Sequence, residues 1–129
     1  MTEHDDALYL AHIDDAAAQI ERTALSRGKG ALDSDFELRD ATLYRLQTLA
    51  ESSQRLSASF KEAHPEIPWN DIAGFRNRVV HGYLTIDLDI VWDIVEREVH
   101  PLGECARFEL GRRREREGPK RHTGFDPGL

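Results

Sequence analysis

Ile13-Asp14-Asp15-Ala16-Ala17-Ala18-Gln19-Ile20-Glu21-Arg22-Thr23-Ala24 is the stretch on which the fold class turns. Ile13, Ala17, Ile20 and Ala24 recur at steps of four, three and four, which lays one apolar stripe along a helix of 3.6 residues per turn. A half-buried strand would alternate at every second position instead. The spacing predicts a helix over 6–26, stopped by Gly28 and Gly30, the residue type that ends helices most readily.

The same period continues outward. Ser34 with Glu37 three residues later matches a capping box and predicts a short helix start. Asp40 offers an N-cap for a long helix over 41–62, with Leu43, Leu46, Leu49 (or Ala50), Ser53 and Leu56 on its inner face. Pro65 and Pro68 in His64-Pro65-Glu66-Ile67-Pro68-Trp69 must break it. A helix over 69–80 follows, burying Ile72, Phe75 and Val79, with Gly82 marking its end or a bend. Asp87 can cap a helix from Leu88 to Val99 that turns Ile90, Val91, Ile94 and Val95 inward. Pro101 interrupts, and a short continuation reaches Leu110. No segment sustains strand alternation, so the expectation is an all-α fold, a four- to five-helix bundle. The domain is expected over 1–110. Glycine, proline and charge predict a disordered basic tail over 111–129.

A chain of 129 residues is most simply one domain. Its net charge of −7 is uneven: residues 1–106 carry ten Lys/Arg against twenty Asp/Glu, and residues 107–129 carry seven against four. An acidic body argues against broad, nonspecific duplex binding, which rests on many phosphate contacts. It leaves room for a local cleft that holds one or two phosphates. Arg112-Arg113-Arg114-Glu115-Arg116 reads as a solvated tail, with contact to nucleic acid or an acidic partner as the sharper reading. The apolar runs are far shorter than the roughly 20 residues of a membrane span, and the acidic N-terminus is unlike a secretory signal. Cys105 is the only cysteine, reads as a small buried hydrophobe, and fits a reducing compartment. The expected location is cytoplasmic.

Of the six histidines, His4, His12, His64, His100 and His122 read as surface, loop or helix-end residues, and none stands at a recognised metal-ligand spacing. His81 differs because it lies in Phe75-Arg76-Asn77-Arg78-Val79-Val80-His81-Gly82-Tyr83, where polar residues interrupt an otherwise apolar helix. A guanidinium is costly to bury without an acid or a phosphate, and its planar fork matches phosphate oxygens. Imidazole moves protons near neutral pH. Arginine plus histidine is therefore a minimal kit for cleaving a phosphodiester that brings its own nucleophile, as the RNA 2′-hydroxyl does. An equally open reading is a salt-bridged structural arginine with a capping histidine. On an unbroken helix Arg76 and His81 stand about 140° out of phase. Either the helix loosens near Gly82, or two chains contribute to one site. A two-fold dimer would supply one histidine as base and another as acid.

Arg76-Asn77-Arg78-Val79-Val80-His81-Gly82-Tyr83, or Arg-Asn-x3-His-x-Tyr, resembles the signature of the HEPN superfamily in its HepT-like branch. The flanks His64-Pro65-Glu66-Ile67-Pro68-Trp69 and Ile86-Asp87-Leu88-Asp89-Ile90-Val91-Trp92 stand in the order that family shows, and the resemblance covers roughly residues 6–105. It implies a helical bundle and a homodimer whose cleft holds both motifs. It implies a metal-independent endoribonuclease toxin of a type VII toxin–antitoxin system, with RNA as substrate and no cofactor. Arg76 and His81 would be catalytic and Asn77 supporting. The implied partner is a minimal nucleotidyltransferase antitoxin (MntA-like) that transfers AMP to the motif tyrosine, by position Tyr83. Read without the resemblance, Tyr83 after a helix end simply packs its ring. The alternative is a catalytically inactive HEPN adaptor subunit that assists a nucleotidyltransferase. Two features depart from the family pattern: Gly82, where many relatives carry an acidic or polar residue, and the long basic tail.

Overall fold

A computed structural model describes residues 3–81 and 85–117. Helix α1 (Glu3–Ile20) buries Leu10, Ile13, Ala17 and Ile20, as the spacing predicts, and a π-helical turn over Glu21–Leu25 carries Ala24 into the same core. Gly28 has φ 94°, a left-handed conformation that glycine adopts without a Cβ penalty, and leads into α2 (Lys29–Ser34).

The caps that follow correct the expectation. Ser34 ends α2, its hydroxyl donating to the Gly30 carbonyl at 3.0 Å. Asp35, not Ser34 or Asp40, caps α3 (Phe36–Gln54) by accepting from the Glu37 and Leu38 amides at 3.1 Å. Asp40 lies inside that helix. The expected helix over 41–62 is two helices, because Ser57 caps α4 (Ala58–Ala63) through the Phe60 amide. A buried carboxylate holds Ser57 there: Asp6 accepts from its amide at 2.8 Å and its hydroxyl at 2.7 Å.

The two prolines break the chain after α4 as expected. The indole of Trp69 closes the loop, donating to the carbonyls of Lys61 and His64. The expected helix over 69–80 is in fact α5 (Trp69–Ala73) and α6 (Phe75–Val79), separated at Gly74. Two short strands follow, β1 (Val80–His81) and β2 (Thr85–Ile86), antiparallel with His81 opposite Thr85. This two-residue ladder is an addition to an otherwise all-α fold. Helix α7 (Leu88–Arg97) starts at Asp87, which accepts from the Asp89 and Ile90 amides as expected.

Helix α8 (Val99–Glu117) corrects the tail. Pro101 does not interrupt it, because the third residue of a helix has no intrahelical partner for its amide anyway. Nor does the helix stop at Leu110. Buried Glu109 accepts from Arg112 and Arg113, three and four residues on, which favours the helix through the segment read as disordered. The remainder of that tail, 118–129, lies outside the described residues.

The long helices α1, α3, α7 and α8 surround one core, and α1 packs between α3 and α8. Gly103 of α8 faces Ala17 of α1 so closely that an added Cβ would stand 2.8 Å from the alanine methyl. Among the described residues no helix is long and apolar enough to cross a membrane.

Candidate functional site

Helix α6 presents the polar residues of the motif on its outer side, with Phe75 and Val79 buried beneath. The break at Gly74 sets its direction, and the Gln54 side chain at the end of α3 donates to the neighbouring Ala73 carbonyl. Arg76 is exposed and lines a cleft of about 370 Å³ between α3, α6 and the strand pair. Leu46, Ala50, Phe75 and Val79 form apolar walls, while Gln47, Glu51 and Gln54 of α3 supply polar groups to the same cleft. Among the described residues Arg76 makes no ion pair, so its guanidinium is available at the cleft.

Arg78, two residues on, is committed. Its guanidinium grips Glu98 with both nitrogens, Nη1 to Oε1 at 3.1 Å and Nη2 to Oε2 at 2.9 Å, and lies 5.8 Å from the centre of the Phe75 ring. The bond to Glu98 raises its pKa further above the ordinary value. This is the salt-bridged structural arginine that the sequence left open, and it is Arg78, not Arg76. Its partner was missed because Glu98 stands twenty residues away.

Asn77 is exposed beside Arg76. The helix does not run to Gly82. It ends at Val79, and Val80 is already extended at φ −105°, ψ 118°. His81 therefore sits on a strand, and the helical phase angle between it and Arg76 no longer applies. The Asp87 amide donates to the Val79 carbonyl at 2.7 Å and closes the hairpin behind it. The His81 side chain and all of Tyr83 lie outside the described residues. Gln47, Glu51 and Gln54 were also missed; their signal is the step of four and three along α3 beside its apolar stripe.

Cys105 is half-buried, and its thiol is pushed up to about 11 by burial and then by Glu66 and Glu109. A thiol held in that state is a poor nucleophile, in keeping with its reading as a packed residue.

Comparison with known proteins points the same way as the motif. The chain is 31% identical over 68 residues to a "Probable ribonuclease HepT" of Thermococcus cleftensis, covering 53% of this chain and 62% of that protein. It is 32% identical over 99 residues to a "Putative RNase" of Caldanaerobacter subterraneus subsp. tengcongensis, covering 73% and 84%. It is 27% identical over 100 residues to a "Gamma-glutamylcyclotransferase and putative RNase" of Methanocaldococcus jannaschii, covering 78% of this chain and 45% of that protein. The chain thus spans less than two thirds of the first and third of these. No solved structure matches it. The family described as Ribonuclease HepT-like matches residues 13–107, from the middle of α1 to the middle of α8 and across the whole motif, and the chain belongs to that family.

Proposed function

We propose that the protein is a metal-independent endoribonuclease toxin of the HEPN type, acting as a two-fold homodimer. The observation that carries this reading is Arg76: an exposed guanidinium without an acidic partner among the described residues, at the edge of a cleft, five residues before His81. An arginine kept for packing would be spent as Arg78 is. Arg76 binds the phosphate oxygens and stabilises the charge that builds on them. His81 of one protomer takes the proton from the RNA 2′-hydroxyl as that oxygen attacks phosphorus. His81 of the other protonates the departing 5′-oxygen, leaving a 2′,3′-cyclic phosphate. Asn77 supports Arg76 in holding the substrate.

Control falls to Tyr83. A cognate MntA-like nucleotidyltransferase antitoxin transfers AMP from ATP to its hydroxyl: the phenolic oxygen bonds the α-phosphorus, pyrophosphate leaves, and the phenolic proton goes to solvent. The product adds bulk and a negative phosphodiester that occupies Arg76 and repels the RNA backbone. The test is RNA cleavage by purified protein in the presence of chelator. Wild type cleaves, and His81→Ala and Arg76→Ala each lose at least roughly 100-fold. Full activity in either folded variant would move the site elsewhere. Loss of wild-type cleavage with chelator would refute the metal-free route. No cleavage by wild type on any RNA would favour an adaptor subunit.

A further inference from the structure

The loop at Pro65–Pro68 and helix α8 bring three donor groups together, none of them part of the motif. One ligand atom each from His64, Glu66 and Cys105 all lie within 4.8 Å of one another. We propose that these three side chains bind one divalent cation, zinc in preference, which fastens the α4–α5 loop to α8.

The donor set argues for that ion. A sulfur, an imidazole nitrogen and a carboxylate oxygen suit a borderline-soft cation, whereas magnesium and calcium take oxygen ligands. Tetrahedral zinc with bonds of about 2.0–2.3 Å places its ligand atoms roughly 3.3–3.6 Å apart. His64 Nδ1 and Glu66 Oε2 already stand at 3.4 Å. The remaining separations need to close by little more than about 1 Å at most, and Glu66, with 64% of its side chain exposed, can exchange its contact with the His64 ring for the ion.

The frame is set before any ion arrives. The His64 carbonyl accepts from the Trp69 indole at 3.0 Å and the Ile67 amide at 3.2 Å, and its ring packs on Phe60 with centroids 4.5 Å apart. Cys105 stands on a long helix anchored by Leu102 and Ala106 in the core. His64 and Cys105 are half-buried and Glu66 faces solvent, so three protein ligands leave the fourth position to water. Binding exchanges the thiol proton for the metal: a Zn–S bond forms, the S–H bond breaks, and the proton leaves to solvent. Sequence spacing could not reveal the site, since Cys105 lies some forty residues from the loop.

The test is titration of the full chain, prepared metal-free, with Co²⁺ alone. The expected result is one equivalent per chain, a sulfur-to-cobalt charge-transfer band, the strong visible bands of a tetrahedral site, and displacement of all of them by Zn²⁺. Cys105→Ala and His64→Gln should each weaken binding by roughly 100-fold or more, beyond the effect of losing a supporting residue alone. Zn²⁺ should raise the melting temperature of wild type but not of Cys105→Ala. A folded wild type without the thiolate band would overturn the proposal, and so would either variant binding as wild type does. Cleavage is read in chelator, so failure there and failure here are separate results.

Discussion

Replacing Arg78 with alanine separates structure from chemistry within one short helix. Its pair with Glu98 joins α6, the short helix that also carries Arg76, to the residue that ends α7 and precedes α8. An exposed pair contributes about 0–1 kcal/mol, and breaking a fully buried one costs about 3–5 kcal/mol. This pair lies between those limits, with 31% of the Arg78 side chain and 14% of that of Glu98 exposed. Removing Arg78 leaves a mostly covered carboxylate unpaired, and it also removes the contact with Phe75, itself about 0.5–1 kcal/mol. Discounted for the water that still reaches the guanidinium, the expected loss is about 2 kcal/mol. For a chain of this size that is a fall of roughly 6–10 °C in melting temperature. Arg76→Ala, by contrast, should change stability by less than about 0.5 kcal/mol while abolishing cleavage. Thermal and urea unfolding of both variants, followed by RNase assay below the melting range, gives the comparison. The double variant Arg78→Ala/Glu98→Ala should recover about 1 kcal/mol or more relative to the sum of the singles. Equal destabilisation by Arg76→Ala and Arg78→Ala would refute the division of labour, as would an Arg78→Ala protein of unchanged stability that fails to cleave.

Gly103→Ala should destabilise by about 1 kcal/mol, since overpacking against Ala17 outweighs the gain in helix propensity, whereas Gly111→Ala on the same helix, with open space around its Cβ, should stabilise by about 0.5–1 kcal/mol. The same sign in both, read by thermal unfolding, would show that α1 and α8 are not in such close contact. The Leu38 amide, and then Arg27, hold the Asp35 carboxyl below its ordinary value. A lowered carboxyl pKa gives stability that is present above the unfolded value and fades as pH falls through the folded one. Unfolding midpoints measured from pH 6 downward should therefore lose that contribution below about pH 4 in wild type. Asp35→Asn should lack this part of the decline, and parallel curves would remove Asp35 from the acid response. Tyr83→Phe should cleave RNA yet escape its cognate nucleotidyltransferase; peptide mass spectra after coexpression that place AMP on another residue would exclude Tyr83 as the switch.

What the sequence disclosed and what it withheld divide by range. The α1 stripe, the Asp87 cap and the double-proline break are local, and each is settled by residues within a turn or two of itself. The α3 start was misplaced because Ser34, Asp35 and Asp40 are all competent caps. The choice falls to the one whose carboxylate meets the Leu38 amide as that leucine enters the core. The split between α3 and α4 depends on Asp6, fifty-one residues away. The helical segment beyond Leu110 depends on one buried glutamate collecting two arginines, which composition reads as mere charge. Arg76 and Arg78 were indistinguishable for the same reason: Glu98 has no local signature.

The three sequence blocks of the resemblance are separated in the chain, yet each has a geometric task around the candidate site. In the first block, Pro65 and Pro68 end α4 and the Trp69 indole seals the turn, so α5 starts in a new direction. Gly74 then turns the chain again and lays α6 along the cleft with Arg76 outward. In the motif itself, extension begins at Val80, one residue before the histidine, which moves His81 from a helix onto a strand. The last block fixes that strand: Ile86 pairs with Val80, the Asp87 amide bonds the Val79 carbonyl, and the Asp87 carboxylate caps α7. One aspartate thus holds the end of α6 and the start of α7 together. A five-residue spacing that an unbroken helix would point in divergent directions is carried instead across a helix end and a hairpin. The placement of His81 relative to Arg76 then depends on backbone hydrogen bonds that the flanking blocks supply.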